Sequence, residues 1–148
     1  MEDVKLFAPP TLSMEVPGDW FDASTYVIAG PIAEGFRTTL VITRNPKVLE
    51  SDLDTYVDIQ LSDLAKLKDF ALLGREPVVV GGSPATCLDF QWTQEPSQVL
   101  RQRQWHVWVK GQVYSLTLTA LPKGFDSVKG LYAEVLATFK PRAWSAPT

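Results

Sequence analysis

The sequence predicts an α+β domain: an antiparallel β-sheet with helices packed on one face. Three observations carry this. Apolar and polar residues alternate with a period of two in several short segments; two of these, Leu100–Val109 and Gln112–Leu121, meet at Lys110-Gly111 as a hairpin; and segments beginning at Ser51 and at Phe125 switch to a helical period. A chain of 148 residues with 45% hydrophobic content can bury one full core without disulfides. Residues 1–148 therefore read as one domain, with its core at about 12–141 and a loose carboxyl-terminal tail, RAWSAPT.

In chain order, Leu12, Met14 and Val16 alternate with Ser13 and Glu15 before the Pro17-Gly18 turn, which predicts a short strand. Ser24–Ala29 and Arg37–Arg44 are β-prone and joined by a loop around Ala33-Glu34-Gly35. Leu53, Val57, Leu61 and Leu64 fall on one side of a helix capped by Ser51 or Asp52 and running to about Lys68. Phe70–Leu73 and Val78–Val80 are short strand-like runs, Gly81-Gly82 turns, and Thr86–Trp92 is a strand with Leu88, Phe90 and Trp92 on one side and Cys87, Asp89 and Gln91 on the other. Gln94–Ser97 is a loop. The two-residue turn at Lys110-Gly111 pairs Gln104 with Thr117 and Gln102 with Thr119. Leu121–Gly124 ends the hairpin, Phe125 to Phe139 is helical, and Pro141 stops it.

Composition excludes several function classes. The charge of -3 is mild, and Arg101, Arg103 and Trp105 alternate away from Trp108 and Lys110, so no nucleic-acid platform forms. One Cys and one His cannot supply a zinc site, and Asp52, Asp54, Asp58 and Asp63 lie on a helix rather than in a calcium loop. Gly81-Gly82-Ser83 lacks the Lys-Ser/Thr of a phosphate-binding loop. Cys87 and His106, placed on the same sheet face by this reading, are the remaining catalytic pair, but nothing nearby lowers the thiol pKa and no third residue orients the histidine. The expectation is no enzyme, no metal and no cofactor. A lone thiol in an apolar strand, an acidic amino terminus without a signal-peptide core, and no run of the roughly 18–20 apolar residues that span a bilayer point to the cytoplasm and to no direct membrane insertion.

One sheet face has an unusual chemistry. Parity collects Thr25 and Val27, then Thr39, Val41 and Thr43, then Cys87, Asp89 and Gln91, with Leu100, Gln102, Gln104, His106, Ser115, Thr117 and Thr119 from the hairpin. A solvated face usually recruits Lys, Glu and Arg, yet this set holds one Asp and neither Lys nor Arg. Such a surface suits an apolar partner with scattered hydroxyls or exposed carbonyls, such as a membrane-type helix.

Trp20, Asp22 and Ser24, the strand ending at Arg44, Tyr56 with Gln60-Leu61, Gly82, Asp89, Trp92, Gln102, Gln104, Tyr114, Thr117 and Thr119 follow one another in an order and spacing that resembles the DcrB-related proteins of the Mog1/PsbP-like fold. Within them the chain looks like the effector-associated (Eag) chaperones of bacterial type VI secretion. The resemblance implies a cytoplasmic homodimer that shields the amino-terminal transmembrane helices of a secreted effector before loading on the spike protein. Carried onto this sequence, the client-binding residues are Thr25, Val27, Thr39, Val41, Thr43, Gln60, Leu64, Leu100, Gln102 and Gln104. The alternative reading is a generic protein-interaction domain of the same fold that binds a soluble partner.

Overall fold

The computed structural model describes residues 4–7, 14–19, 23–33, 35–46 and 48–140. Trp20, Asp22, Leu12, Pro141 and the tail from Arg142, all used in the sequence reading, lie outside the described residues. Strands β1 (Val4–Phe7) and β2 (Met14–Pro17) form a small antiparallel ladder. Strands β3 (Tyr26–Ala33), β4 (Phe36–Asn45), β5 (Ala71–Val80), β6 (Ser83–Gln94), β7 (Gln98–Val109) and β8 (Gln112–Ala120) form a six-stranded sheet ordered β3-β4-β8-β7-β6-β5, antiparallel throughout. Helix α1 (Leu53–Leu64) joins β4 to β5, and α2 (Pro122–Ala137) follows β8.

Local chemistry explains the boundaries. Lys110 (φ 49°) and Gly111 (φ 76°) both take the left-handed region that a two-residue type I′ turn requires, and the register they set is the expected one, Gln104 opposite Thr117 and Gln102 opposite Thr119. Asp52 caps α1, its carboxylate accepting from the Thr55 N–H at 2.7 Å. That helix ends at Leu64 rather than near Lys68, because the chain turns through 65–69 to Asp69 in the left-handed region (φ 56°). α2 starts at Pro122 rather than Phe125, since proline's fixed φ suits the first helical position. β5 is one strand rather than two runs. Its Pro77 is tolerated because β5 is an edge, and its register shifts between Leu72 and Gly74.

Each helix packs on one face of the sheet, and the two faces differ. Phe125, Val128 and Leu136 of α2 bury Leu40, Cys87, Trp105, Val107, Leu116 and Leu118. Tyr56 and Val57 of α1 bury Leu88, Phe90 and Val113 on the other side. The ladder corrects the sequence reading of β6: Cys87 pairs with Trp105 and Asp89 with Arg103, so these two and Gln91 point toward α2, whereas Leu88 and Phe90 share the face of Gln104 and Gln102. The error came from assuming a single covered face. With a helix on each side, Ala85, Thr86, Cys87 and Leu88 are buried in succession, and alternation of hydrophobicity cannot say which side is which.

Leu88 is fully buried against α1, so Leu88→Ala should lower unfolding stability by about 2–5 kcal/mol in urea denaturation. Amide exchange in the variant should rise more in α1 than in α2; the reverse would restore the original parity.

Candidate functional site

Register arranges the face shared with α1 in three rows that cross the sheet. One runs Val27, Val41, Thr117, Gln104, Leu88; the next Ala29, Thr39, Thr119, Gln102, Phe90; the third Thr43, Ser115, His106, Thr86. α1 sits over the β6 end of the rows. Exposure is greatest at the far edge: Leu88, Phe90 and Thr119 are buried, Gln102, Gln104, Thr39 and Val41 half-buried, Thr43 exposed, and Val27 62% exposed. Adjacent strands lie about 4.8 Å apart, so the three steps from Gln104 to Val27 leave a strip roughly 14 Å wide between α1 and the β3 edge. A helix with its side chains is about 10 Å across and fits that width.

Two hydrogen-bonded chains fix the amides in the strip. Trp92 Nε1 donates to Gln102 Oε1 at 2.7 Å, and Gln102 Nε2 donates to Thr119 Oγ1 at 2.8 Å. His106 lies 3.0 Å from Gln104 Oε1 through Nε2 and 2.8 Å from Ser115 Oγ through Nδ1, with the Tyr56 ring edge-on at 5.8 Å. Burial pushes the His106 pKa down to about 4, which leaves the ring neutral at pH 7. The network then assigns the tautomer: Nε2–H donates to Gln104 and the Ser115 hydroxyl donates to Nδ1. Both glutamine oxygens are thereby engaged inside the protein, which leaves the second N–H of Gln102 and the N–H groups of Gln104 to offer a partner.

The structure brings together most of the expected client-binding residues. Val27, Thr39, Val41, Thr43, Gln102 and Gln104 share the strip, and Thr25 precedes β3 by one residue and is exposed. Gln60 and Leu64 lie one and two turns beyond Tyr56 on α1, both half-buried, with Leu64 packed into the α1 cluster. Two corrections follow. Leu100 is on this face but only 4% exposed, because it pairs with Trp92 in the sheet interior, so it supports the strip from within. Cys87, Asp89 and Gln91 belong to the opposite face, where Arg103 forks onto Asp89 at 3.1 and 2.6 Å. Cys87 and His106 are therefore separated by the sheet and cannot act as a pair, and burial pushes the Cys87 thiol up to about 11. Trp92 and Tyr56, which orient the amide network, were missed as site residues; the loop of Glu95–Ser97, which sets how β6 pairs with β7, was the signal that could have found Trp92.

Among the described residues no group of three or more His, Cys, Asp and Glu could hold a metal, and no helix is long and apolar enough to cross a membrane.

A model of the DcrB family matches residues 12–138. No curated protein matches the chain. Among solved structures, the chain is similar to the Pseudomonas aeruginosa protein PA94, a candidate regulator, with a TM-score of 0.81 and 26% identity over 98% of this chain and 99% of that one. It is also similar to LpqN, involved in cell envelope biogenesis of Mycobacterium tuberculosis (TM-score 0.54, 17% identity, 94% and 78% covered). A third is cyanobacterial PsbP from Synechocystis (TM-score 0.51, 11% identity, 93% and 91% covered). The last two share the fold, which is the Mog1/PsbP-like one expected from the sequence.

The depressed His106 pKa has a consequence for stability. The unfolded chain takes up a proton near pH 6.5 that the folded chain refuses until about 4, so the stability tied to neutral His106 is complete above 6.5 and is lost as pH falls toward 4. Urea denaturation should show a decline in unfolding free energy over that window, roughly 3 kcal/mol in all, that is absent from the curve of His106→Gln. Parallel wild-type and variant curves would mean that His106 titrates normally.

Proposed function

This chain belongs to the DcrB family, and we propose that it is a non-enzymatic cytoplasmic chaperone that shields amino-terminal transmembrane helices of a type VI secretion effector before loading on the spike. The observation that carries the reading is the half-open face: a strip about one helix wide, lined by Val27, Thr39, Val41 and Thr43, walled by α1, and carrying two amides whose oxygens are already engaged. Val and the methyl groups of Thr cover an apolar helix flank, a contribution of about 25 cal/mol per Å² of apolar surface removed from water. Gln102 and Gln104 supply donors to the hydroxyls and exposed carbonyls that interrupt a membrane-type helix. A strip rich in lysine or glutamate would leave unpaired charge against that flank; this one does not.

In this reading the protein works as a homodimer, the client is held rather than processed, and the spike protein is a second partner at hand-over. The description of PA94 as a candidate regulator accords with binding rather than catalysis. Docking of a soluble partner on the same strip is the alternative, and whether the captured partner contains transmembrane segments separates the two.

Co-expression tests the proposal. An effector amino terminus with transmembrane helices should stay soluble with this protein and aggregate without it. Val41→Asp, at a half-buried strip position, should lose the client while keeping a wild-type urea midpoint within about 0.5 kcal/mol. Equal client solubility with and without the protein would sink the proposal.

A further inference from the structure

The free edge of β3 is apolar. Residues 23–33 hold no charged side chain, and Thr25, Tyr26, Val27, Ile28 and Ala29 are all exposed. At the other edge of the sheet, β5 has a bulge, Pro77, Arg75 and Glu76 to keep a further strand away. The hairpin register shows which main-chain groups of β3 are open. A two-residue turn makes Val109 and Gln112 a hydrogen-bonded pair, and alternation then directs Ser115, Thr117 and Thr119 of β8 at β4, Leu40 and Ile42 of β4 at β3, and Tyr26 and Ile28 of β3 back at β4. The N–H and C=O groups of Val27 and Ala29, and by the same alternation those of Thr25, point outward, where no described strand pairs with them.

This open run has the symmetry that a second copy needs. Laid antiparallel against itself with a two-fold axis at Val27, β3 sets Val27 opposite Val27, Thr25 opposite Ala29, and Tyr26 opposite Ile28 of the second copy. Every outward group of Thr25, Val27 and Ala29 is then bonded, Tyr26 and Ile28 form aromatic–β-branched pairs on the α2 face, and the bulge after Ala29 ends the ladder. An axis at Tyr26 or Ile28 would oppose residues whose groups β4 already uses. The absence of charge favours self-pairing in particular, since a charge on this edge would meet its own copy across the axis. Five residues about half exposed leave on the order of 400 Å² per copy to cover, about 800 Å² in all, against the roughly 1,200–2,000 Å² of a stable specific interface. That area makes the pair one that exchanges with monomer, with a Kd on the order of micromolar.

We infer that two copies of this chain associate by antiparallel pairing of their β3 edges through Thr25–Ala29, with Val27 on the two-fold axis. The pairing makes one continuous sheet and joins the two strips, so that the floor runs from Gln104 of one copy to Gln104 of the other, roughly 34 Å across seven strand spacings, with an α1 wall at each side. Each copy supplies half of that floor. Its use as a client surface rests on the function proposed above, whereas the pairing is tested without a client.

Sedimentation velocity of the full chain alone, from about 1 to 300 μM, should pass from monomer to dimer. Val27→Pro removes an outward N–H and leaves the β3–β4 bonds of Tyr26 and Ile28 in place, so it should fold and dimerise at least about tenfold more weakly. Ile28→Lys, which sets charges near the axis on the face away from the strip, should do the same and serves if Val27→Pro does not fold. Register is read by oxidation in a Cys87→Ala background. Val27→Cys should link to itself, because directly opposed residues lie about 5.5 Å apart at Cα; Ile28→Cys should link to a Tyr26→Cys copy and little to itself. A monomer at every concentration, even one whose edge takes up an extended peptide, would overturn the inference, as would a dimer indifferent to both edge variants or self-linkage stronger at position 28 than at 27. A dimer that the edge variants break, in a protein that fails to keep the effector soluble, supports the pairing and counts against the client reading alone.

Discussion

The left-handed pair Lys110-Gly111 is the constraint from which the geometry of both faces follows. A two-residue turn permits one register between β7 and β8, and a slip of one residue would move every side chain of β8 to the other side. With that register set, Gln102 and Gln104 stand beside Thr119 and Thr117, and the ladder carries the same parity outward to Thr39 and Val41 on one side and to Phe90 and Leu88 on the other. The hydrogen bonds of Gln102 to Trp92 and Thr119, and of Gln104 to His106, are then consequences of position.

Each helix is too narrow to cover six strands, which span roughly 24 Å against the 10 Å of a helix. α1 settles over the β6 side of one face and α2 over β7 and β8 of the other, so each face keeps an open part. The open part beside α1 is threonine, valine and amide; the open part beside α2 is a mixed surface of Val78, Trp105 and Leu136 with Glu76, Arg103 and Lys129. The edge strand β5 is guarded by its bulge, Pro77, Arg75 and Glu76. The edge strand β3 carries exposed Tyr26, Val27, Ile28 and Ile32.

Much of this was legible in the sequence. The hairpin, the Asp52 cap, the antiparallel α+β class and the parity of β4, β7 and β8 all follow from local signals that nothing at longer range opposes. The face of β6 was not legible, because both its sides are buried and the sequence offers apolar residues on each; only the pairing across Gln94–Gln98 decides. That is also why Cys87 and His106 were placed together when they lie on opposite faces. β1 was missed because Val4–Phe7 is four residues long with a lysine in it, and Leu100 passed for a surface contact because parity tells which face a residue takes and says nothing of depth.

A single distinction between neighbours decides which face receives a helix. Val27 and Ile28 are adjacent in the same edge strand and similarly exposed, at 62% and 49%, but point to opposite faces. A photo-crosslinking residue placed at each position in turn, with an apolar helical peptide containing glycine and serine as the partner, reads which face receives it. Strong crosslinking from position 27 and little from position 28 is the expected result; equal yields, or the opposite preference, would contradict the assignment of the strip as the helix-binding surface.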